Sequence, residues 1–384
     1  MKIINICLTG PFTEGYSYQE NLMNKYFSLM GHDCTIIANN KSFKEGKIVT
    51  VEAESKVIDY NIRLIRLNHR KDIPKKIAER FRVYEGLYKK LDEIKPNLIF
   101  VHGLQFLDIK YIANYKKNNP NVKIIVDNHA DFSNSATNFI SKNILHKIIW
   151  KYCAKKIECY TDKFYGVLPS RVDFLVDVYG IDDEKVELLV MGADDEKIDS
   201  IDNKKIKNKF NIQDKDFVIV TGGKIDSAKM QTILLMKAVK KIQKNIKLII
   251  FGSIADELKE EVKGLIDNEK IYYAGWLNYD QSYEYFSIAD LAVFPGRHSV
   301  FWEQVAGMGI PMLVKHWSGT DHINVNGNCR FIYEDSVDSI RNEINTIIEN
   351  KEIYKNMNFA AKNNAKTKFL YSNISKKCIE DLAY

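Results

Sequence analysis

Along the chain, short apolar runs bounded by Gly, Pro, Asn or Asp alternate with longer stretches in which apolar positions recur every three or four residues. In the first half the short runs are KIINICLTG (2–10), CTIIA (34–38), IRLIRL (62–67), NLIFVHG (97–103), KIIVDNHA (123–130), FYGVLP (164–169) and VELLVMGA (186–193). The stretches between them predict helices near 18–30, 74–94, 106–118, 137–159 and 171–179. The second half repeats the alternation with FVIVTGG (217–223), LIIFGS (248–253), IYYAGW (271–276), LAVFPG (291–296), PMLVKHW (311–317) and CRFIY (329–333). Strands apolar at every position are buried on both faces, which calls for parallel sheets covered by helices and joined by right-handed crossovers.

The polar, lysine-rich segment DSIDNKKIKNKFNIQDKD (199–216) separates the two series. The fold class is therefore α/β, with two doubly wound, Rossmann-like domains facing each other across a cleft. Residues 1–200 form the first domain, 201–216 the linker and 217–365 the second domain; 366–384 form a closing helix that packs back on the first. Ligands of such sheets bind at the carboxyl ends of the strands.

Composition narrows the class. A chain of 384 residues exceeds what one core usually serves, and 45% apolar with 28% charged residues excludes disordered and collagen-like chains. No run of eighteen apolar residues occurs, and MKIINICLTG enters a strand without a signal-peptide core, so a cytoplasmic protein is expected. Six cysteines without a C-x-x-C pair suit reduced packing thiols rather than disulfides or zinc.

Three strand ends of the second domain carry candidate chemistry. In TGGKIDSAKM (221–230), Gly223 and its neighbour allow a tight turn, and Lys224 and Lys229 flank a loop entering a helix, a clamp for a pyrophosphate. In LIIFGS, Gly252 lets a nucleotide approach the backbone. In FPGRHSVFWEQVAGMGIP (294–311), a strand runs through Pro-Gly-Arg-His into a helix whose first amides, at Ser299 and Val300, face an anion, with Glu303 and Gln304 in the first turn.

These elements, in this order, resemble the GT-B-fold retaining glycosyltransferases grouped as family 4, the glycosyl transferases group 1. LTGPFTEGYSYQENLMNKYFSLMGHDCTIIA is similar to the family's opening, with Gly15 in the glycine loop and Gly31-His32 in the turn to the second strand. VDNHA places His129 at the acceptor-side rim, LLVMGADDEKI resembles the "PNGVD" turn through Gly192 and Asp194, and GGKIDSAKM resembles "GR-x4-K" with Lys224 for the arginine. IYYAGWLNYDQSYEYFSIADLAVFPG is similar to the family's "G-x-(6–8)-Y-x-x-AD-x-x-V-x-PS". The E-x7-E signature departs: aligned on GMGIP, Gln304 takes the second glutamate's place beside Glu303, and the first glutamate has no counterpart, with His298 nearby instead.

The resemblance implies transfer of a sugar, with retention, from a nucleotide diphosphate sugar, a UDP-sugar first of all, to a glycan or lipid-linked glycan acceptor in surface polysaccharide or glycoconjugate synthesis. Lys224, Lys229, His129 and Glu303 are the expected catalytic residues. Gly15, Gly223, Gly252, Trp276, His298, Ser299, Val300 and Gln304 are the expected donor contacts. Leaving-group charge would meet fixed cations and a helix dipole, so no cofactor and no metal are expected. A non-catalytic GT-B partner subunit that binds glycan or nucleotide, and a nucleotide-sugar epimerase, are the alternatives.

The net charge is only +6, yet residues 61–90 hold ten Lys/Arg against three Asp/Glu, and Lys142, Lys147, Lys151, Lys155 and Lys156 lie among Ile, Leu and Trp. Basic amphipathic segments of this kind suit an anionic membrane surface, here the inner face of the membrane, and no nucleic-acid motif accompanies them.

Overall fold

The computed structural model describes residues 1–44, 47–227 and 230–382. The chain divides into two compact units: Met1–Val190 with Ser375–Tyr384, and Met191–Ile374.

In the first unit the apolar runs form β1 (Lys2–Cys7), β2 (Asp33–Asn39), β6 (Ile62–Leu67), β7 (Leu98–His102), β8 (Lys123–Asn128), β9 (Lys163–Gly166) and β10 (Val186–Leu188). A hairpin of β3 (Lys41–Lys44) and β4 (Lys47–Thr50) and an edge strand β5 (Ser55–Ile58) are additions to the pattern. Their residues are mostly exposed or half-buried, so no continuous apolar run marks them. The sheet order is β10-β9-β8-β7-β1-β2-β6-β5, parallel throughout except for β5 on β6. Ile4, Ile6, Ile99, Val101, Ile124 and Val126 form its fully buried centre.

The helix expected over 74–94 is two, Lys75–Phe81 and Leu87–Ile94. Arg82 (φ 55°) and Gly86 (φ 75°) stop the helical path, and the residues between them turn back to bond the chain after β6, Arg70 N to Val83 O and Glu85 N to Asn68 O. The helix expected over 137–159 winds as a π-helix over Ser141–Trp150 and as an α-helix over Lys151–Glu158.

In the second unit the order is β13-β12-β11-β14-β15-β16, all parallel. The strands are β11 (Phe217–Gly222), β12 (Ile246–Phe251), β13 (Ile271–Tyr273), β14 (Leu291–Phe294), β15 (Met312–Lys315) and β16 (Cys329–Ile332). The lysine-rich segment contributes a short helix, Lys204–Lys209, to this unit. Its Ile206 is buried, and Phe210 lies edge-on to Tyr272 and Tyr285.

Both sheets are doubly wound, so each has one point where the chain leaves in opposite directions from neighbouring strands: β1 and β7 in the first unit, β11 and β14 in the second. Crevices for ligands open at the carboxyl ends of such strand pairs.

Candidate active site

At the switch point of the second unit lies a shallow depression lined by the ends of β11 and β14. Gly223, Lys224, Arg297 and Ser299 reach it together. The glycines are there for the backbone. A Cβ on Gly222 would meet the Phe251 ring at 2.2 Å, and one on Gly252 (φ +123°) would meet Gly223 O at 1.9 Å. Gly252 therefore supports the Gly223 loop from behind rather than lining the depression itself. Phe251, Phe286, Phe294, Phe301 and Tyr285 pack as an aromatic floor beneath.

Lys224 is mostly exposed and pairs with Asp226 at 3.2 Å, so an anion entering here exchanges that carboxylate for itself. Lys229 lies outside the described residues. Arg297, unremarked in the sequence reading, is the second cation of the depression; it is exposed, and no periodicity singles it out. Ser299 Oγ accepts from Phe301 N at 3.4 Å, while Val300 is exposed and outside the lining. Trp276, on the loop after β13, is 71% exposed, and Gly15 belongs to the first unit.

The first turn of the helix Phe301–Gly307 faces inward. Glu303 is fully buried, and its Oε1 accepts from His298 Nε2 at 2.8 Å and His322 Nε2 at 2.9 Å. Burial alone would raise its pKa, but the two histidines outweigh that and bring it down to about 2. Gln304, 2% exposed, donates to Ser282 Oγ at 2.9 Å. Neither side chain lines the depression; both are engaged with partners inside the unit. His298 is likewise tied to Glu303 and absent from the lining. His322 was missed; it lies nineteen residues after Glu303 on another element, so no spacing reveals it.

In the first unit, Asp127 at the end of β8 is wholly buried between two histidines. Its Oδ2 lies 2.8 Å from His102 Nδ1 and 3.3 Å from His129 Nε2, and Oδ1 accepts from Gly103 N at 2.9 Å. Although burial opposes the charge, the histidines hold the carboxyl well below the usual carboxylate range. Asn24 donates to Glu20 O and accepts from Asn5, which leaves the Asn5 oxygen to accept from His102 Nε2 at 3.1 Å. His129, 37% exposed, is the member of this chain that reaches a cavity. Burial lowers its pKa, and Asp127 more than reverses this, so the net shift is upward.

Two groups have donor atoms within 4.8 Å of one another, as a metal needs: His102, Asp127, His129 and His298, Glu303, His322. In the first, His102 Nδ1 and Nε2 both sit at hydrogen-bond distance from oxygens, those of Asp127 and Asn5. In the second group both Nε2 atoms sit at hydrogen-bond distance from one oxygen. Binding there would move the His322 proton to Nδ1, which is buried without a partner among the described residues.

Two Rossmann-like units of this topology define the GT-B fold class. Residues 202–364 match the family described as glycosyl transferases group 1. No curated protein matches the chain in sequence. Among solved structures, a glycosyltransferase from Rickettsia africae aligns at 15% identity and a TM-score of 0.68, over 99% of this chain and 97% of that one. HepE from Anabaena in complex with UDP and glucose aligns at 13% and 0.61, over 100% and 99%. UDP-GlcNAc 2-epimerase from Neisseria meningitidis bound to UDP-GlcNAc aligns at 13% and 0.63, also over 100% and 99%. At these identities the likeness is one of fold.

Proposed function

We propose that the protein is a retaining glycosyltransferase that moves a sugar from a UDP-sugar to a glycan or lipid-linked glycan acceptor, in surface polysaccharide or glycoconjugate synthesis. The observation that carries this reading is the convergence of Gly223, Lys224, Arg297 and Ser299 at the switch point of a unit whose segment 202–364 matches the group 1 family. The diphosphate binds in that depression. As the bond from the anomeric carbon to the β-phosphate oxygen breaks, negative charge gathers on the diphosphate, and the ammonium and guanidinium groups stabilise it without a metal. The first unit, with His129 at its cavity, takes the acceptor.

A panel of nucleotide sugars, read by thermal stabilisation and by release of nucleoside diphosphate, tests the reading. UDP-sugars are expected to stabilise and to be cleaved, and Lys224→Ala and Arg297→Ala to bind UDP about tenfold more weakly each, about 1.4 kcal/mol. Binding without release supports a non-catalytic subunit, and isomerised sugar without transfer an epimerase; either result rejects the transferase.

The acceptor is proposed to be met at an anionic membrane surface. Among the described residues no helix is long and apolar enough to cross a membrane. What supports surface docking is an apolar stripe open to solvent: Phe139, Ile140, Ile144, Ile148 and Tyr152 are all exposed, spaced about four apart, beside Lys142, Lys147 and Lys151.

A further inference from the structure

We propose that the cavity at the switch point of the first unit is a phosphoryl-binding site, fitted to an acceptor that carries a phosphate group. The assignment to an acceptor rests on the transferase reading; the site itself does not. The cavity opens at the carboxyl ends of β1, β7 and β8, and Arg80, Arg82, His129, Asn134, Ser135 and Ser141 border it. Among the described residues no carboxylate lines it.

The two arginines make the argument. Arg82 is half-buried, and its guanidinium sits 5.6 Å from the centroid of the Trp150 ring and donates from Nη1 to Gln105 O at 2.5 Å. No ion pair joins either arginine to a carboxylate among the described residues; Arg80 is exposed, but Arg82 is partly buried, and most other partly buried cations here have one. Burial, with Arg80 adding to it, pushes the Arg82 pKa below its ordinary value, the mark of a cation that lacks a counter-ion. Arg82 also holds a left-handed backbone, φ 55°, as the cap of the helix Lys75–Phe81. A residue other than glycine seldom takes that conformation, which costs roughly 1–2 kcal/mol, and Arg82 lines the cavity from it.

Two unneutralised guanidiniums favour a doubly charged oxyanion over a single carboxylate, and the planar fork suits phosphoryl oxygens. Ser135 Oγ is engaged with His146 Nε2 at 2.9 Å, and Ser141 Oγ donates to Ser135 O, so the hydroxyls shape the rim while the arginines bind. His129 stands beside them with Nε2 turned to Asp127, leaving its Nδ1 for the ligand.

The test is titration of the full chain with inorganic phosphate at constant ionic strength, followed by calorimetry. Saturable binding is expected, at least tenfold weaker in Arg80→Gln, whose exposed side chain leaves folding untouched, and weaker in Arg82→Lys, which keeps the charge but loses the fork. A parallel UDP titration reports the second unit separately: phosphate binding without nucleotide-sugar cleavage upholds this site and rejects the transferase reading, and the converse rejects this site alone. The source of the group is read by flotation with phosphatidic acid–phosphatidylcholine vesicles. Competition by phosphate assigns it to lipid, and flotation indifferent to phosphate assigns it to a soluble phosphorylated acceptor. No saturable phosphate binding, or wild-type affinity in both variants, overturns the proposal.

Discussion

Glu303 shows how far a residue's role depends on what surrounds it. Beside the family's signature it reads as a catalytic residue, but it is buried as an ionised carboxylate between His298 and His322. With its pKa brought down from 4.5 to about 2, its contribution to stability is fully present above pH 4.5 and is lost as pH falls towards 2. Linkage puts this contribution on the order of 3 kcal/mol. Glu303→Gln should therefore be markedly less stable at pH 7, and the gap should close in melts taken near pH 2; an equal gap at both values would show that the charge is not what matters. His129 works in the opposite sense. Asp127, helped by Glu20 and opposed by burial and Arg171, raises its pKa from 6.5, so its charge is present below that value and lost as pH rises through the higher folded one. Turnover should fall on that alkaline limb, and His129→Gln should lower kcat, flatten the limb and leave UDP affinity intact. A pH profile of the variant with the wild-type limb unchanged would make His129 structural.

At the scale of elements, the inner and outer faces of Ser141–Glu158 divide two tasks. Ser141, Leu145, His146 and Trp150 turn to the cavity, while Ile144, Ile148 and Tyr152 turn to solvent. An exposed apolar stripe of this extent is costly in water and suits the boundary between headgroups and acyl chains, with the lysines beside it on lipid phosphates. Ile144→Asp with Ile148→Asp should abolish flotation with acidic vesicles without lowering the melting temperature by more than a degree or two, since neither side chain packs in the core. Flotation that survives, or that is equal on neutral vesicles, counts against docking. The pattern of apolar residues showed that this helix exists, and its lysines suggested the surface. The π-helical winding, which brings positions four apart close to one line, was not legible, because backbone hydrogen-bond register leaves no mark on composition. For a different reason, Arg82 escaped notice: a left-handed arginine at a helix end looks like any other lysine or arginine in a basic stretch.

For the whole molecule, continuously apolar runs were enough to place both parallel sheets, because residues buried on two faces leave no alternation to misread. At the candidate site, Gly223, Lys224 and Ser299 were legible as residues of strand ends that border one depression, whereas the burial of Glu303 and Gln304 was not, because sequence order does not tell which face of a short helix is inside. The sequence reading has 366–384 packing back on the first domain, and the unit boundary falls inside that stretch: Ser375–Tyr384 belong to the first unit, not to the second unit that precedes them. Cys378 and Ser375 are fully buried there, Lys377 pairs with Glu187 at 3.1 Å, and Tyr165 OH donates to the Asp381 carboxylate. Removing residues 375–384 uncovers the β9–β10 side of the first sheet and strips Lys163–Gly166 and Val186–Leu188 of these partners, while β11–β16 keep all of theirs. Hydrogen exchange should then show protection falling in β8–β10, with β11, β12 and β14 as protected as in the full chain and UDP still bound. Loss of protection in β11 and β14, or of UDP binding, would mean that the second unit draws its order from the first and that the two do not act as separate bodies.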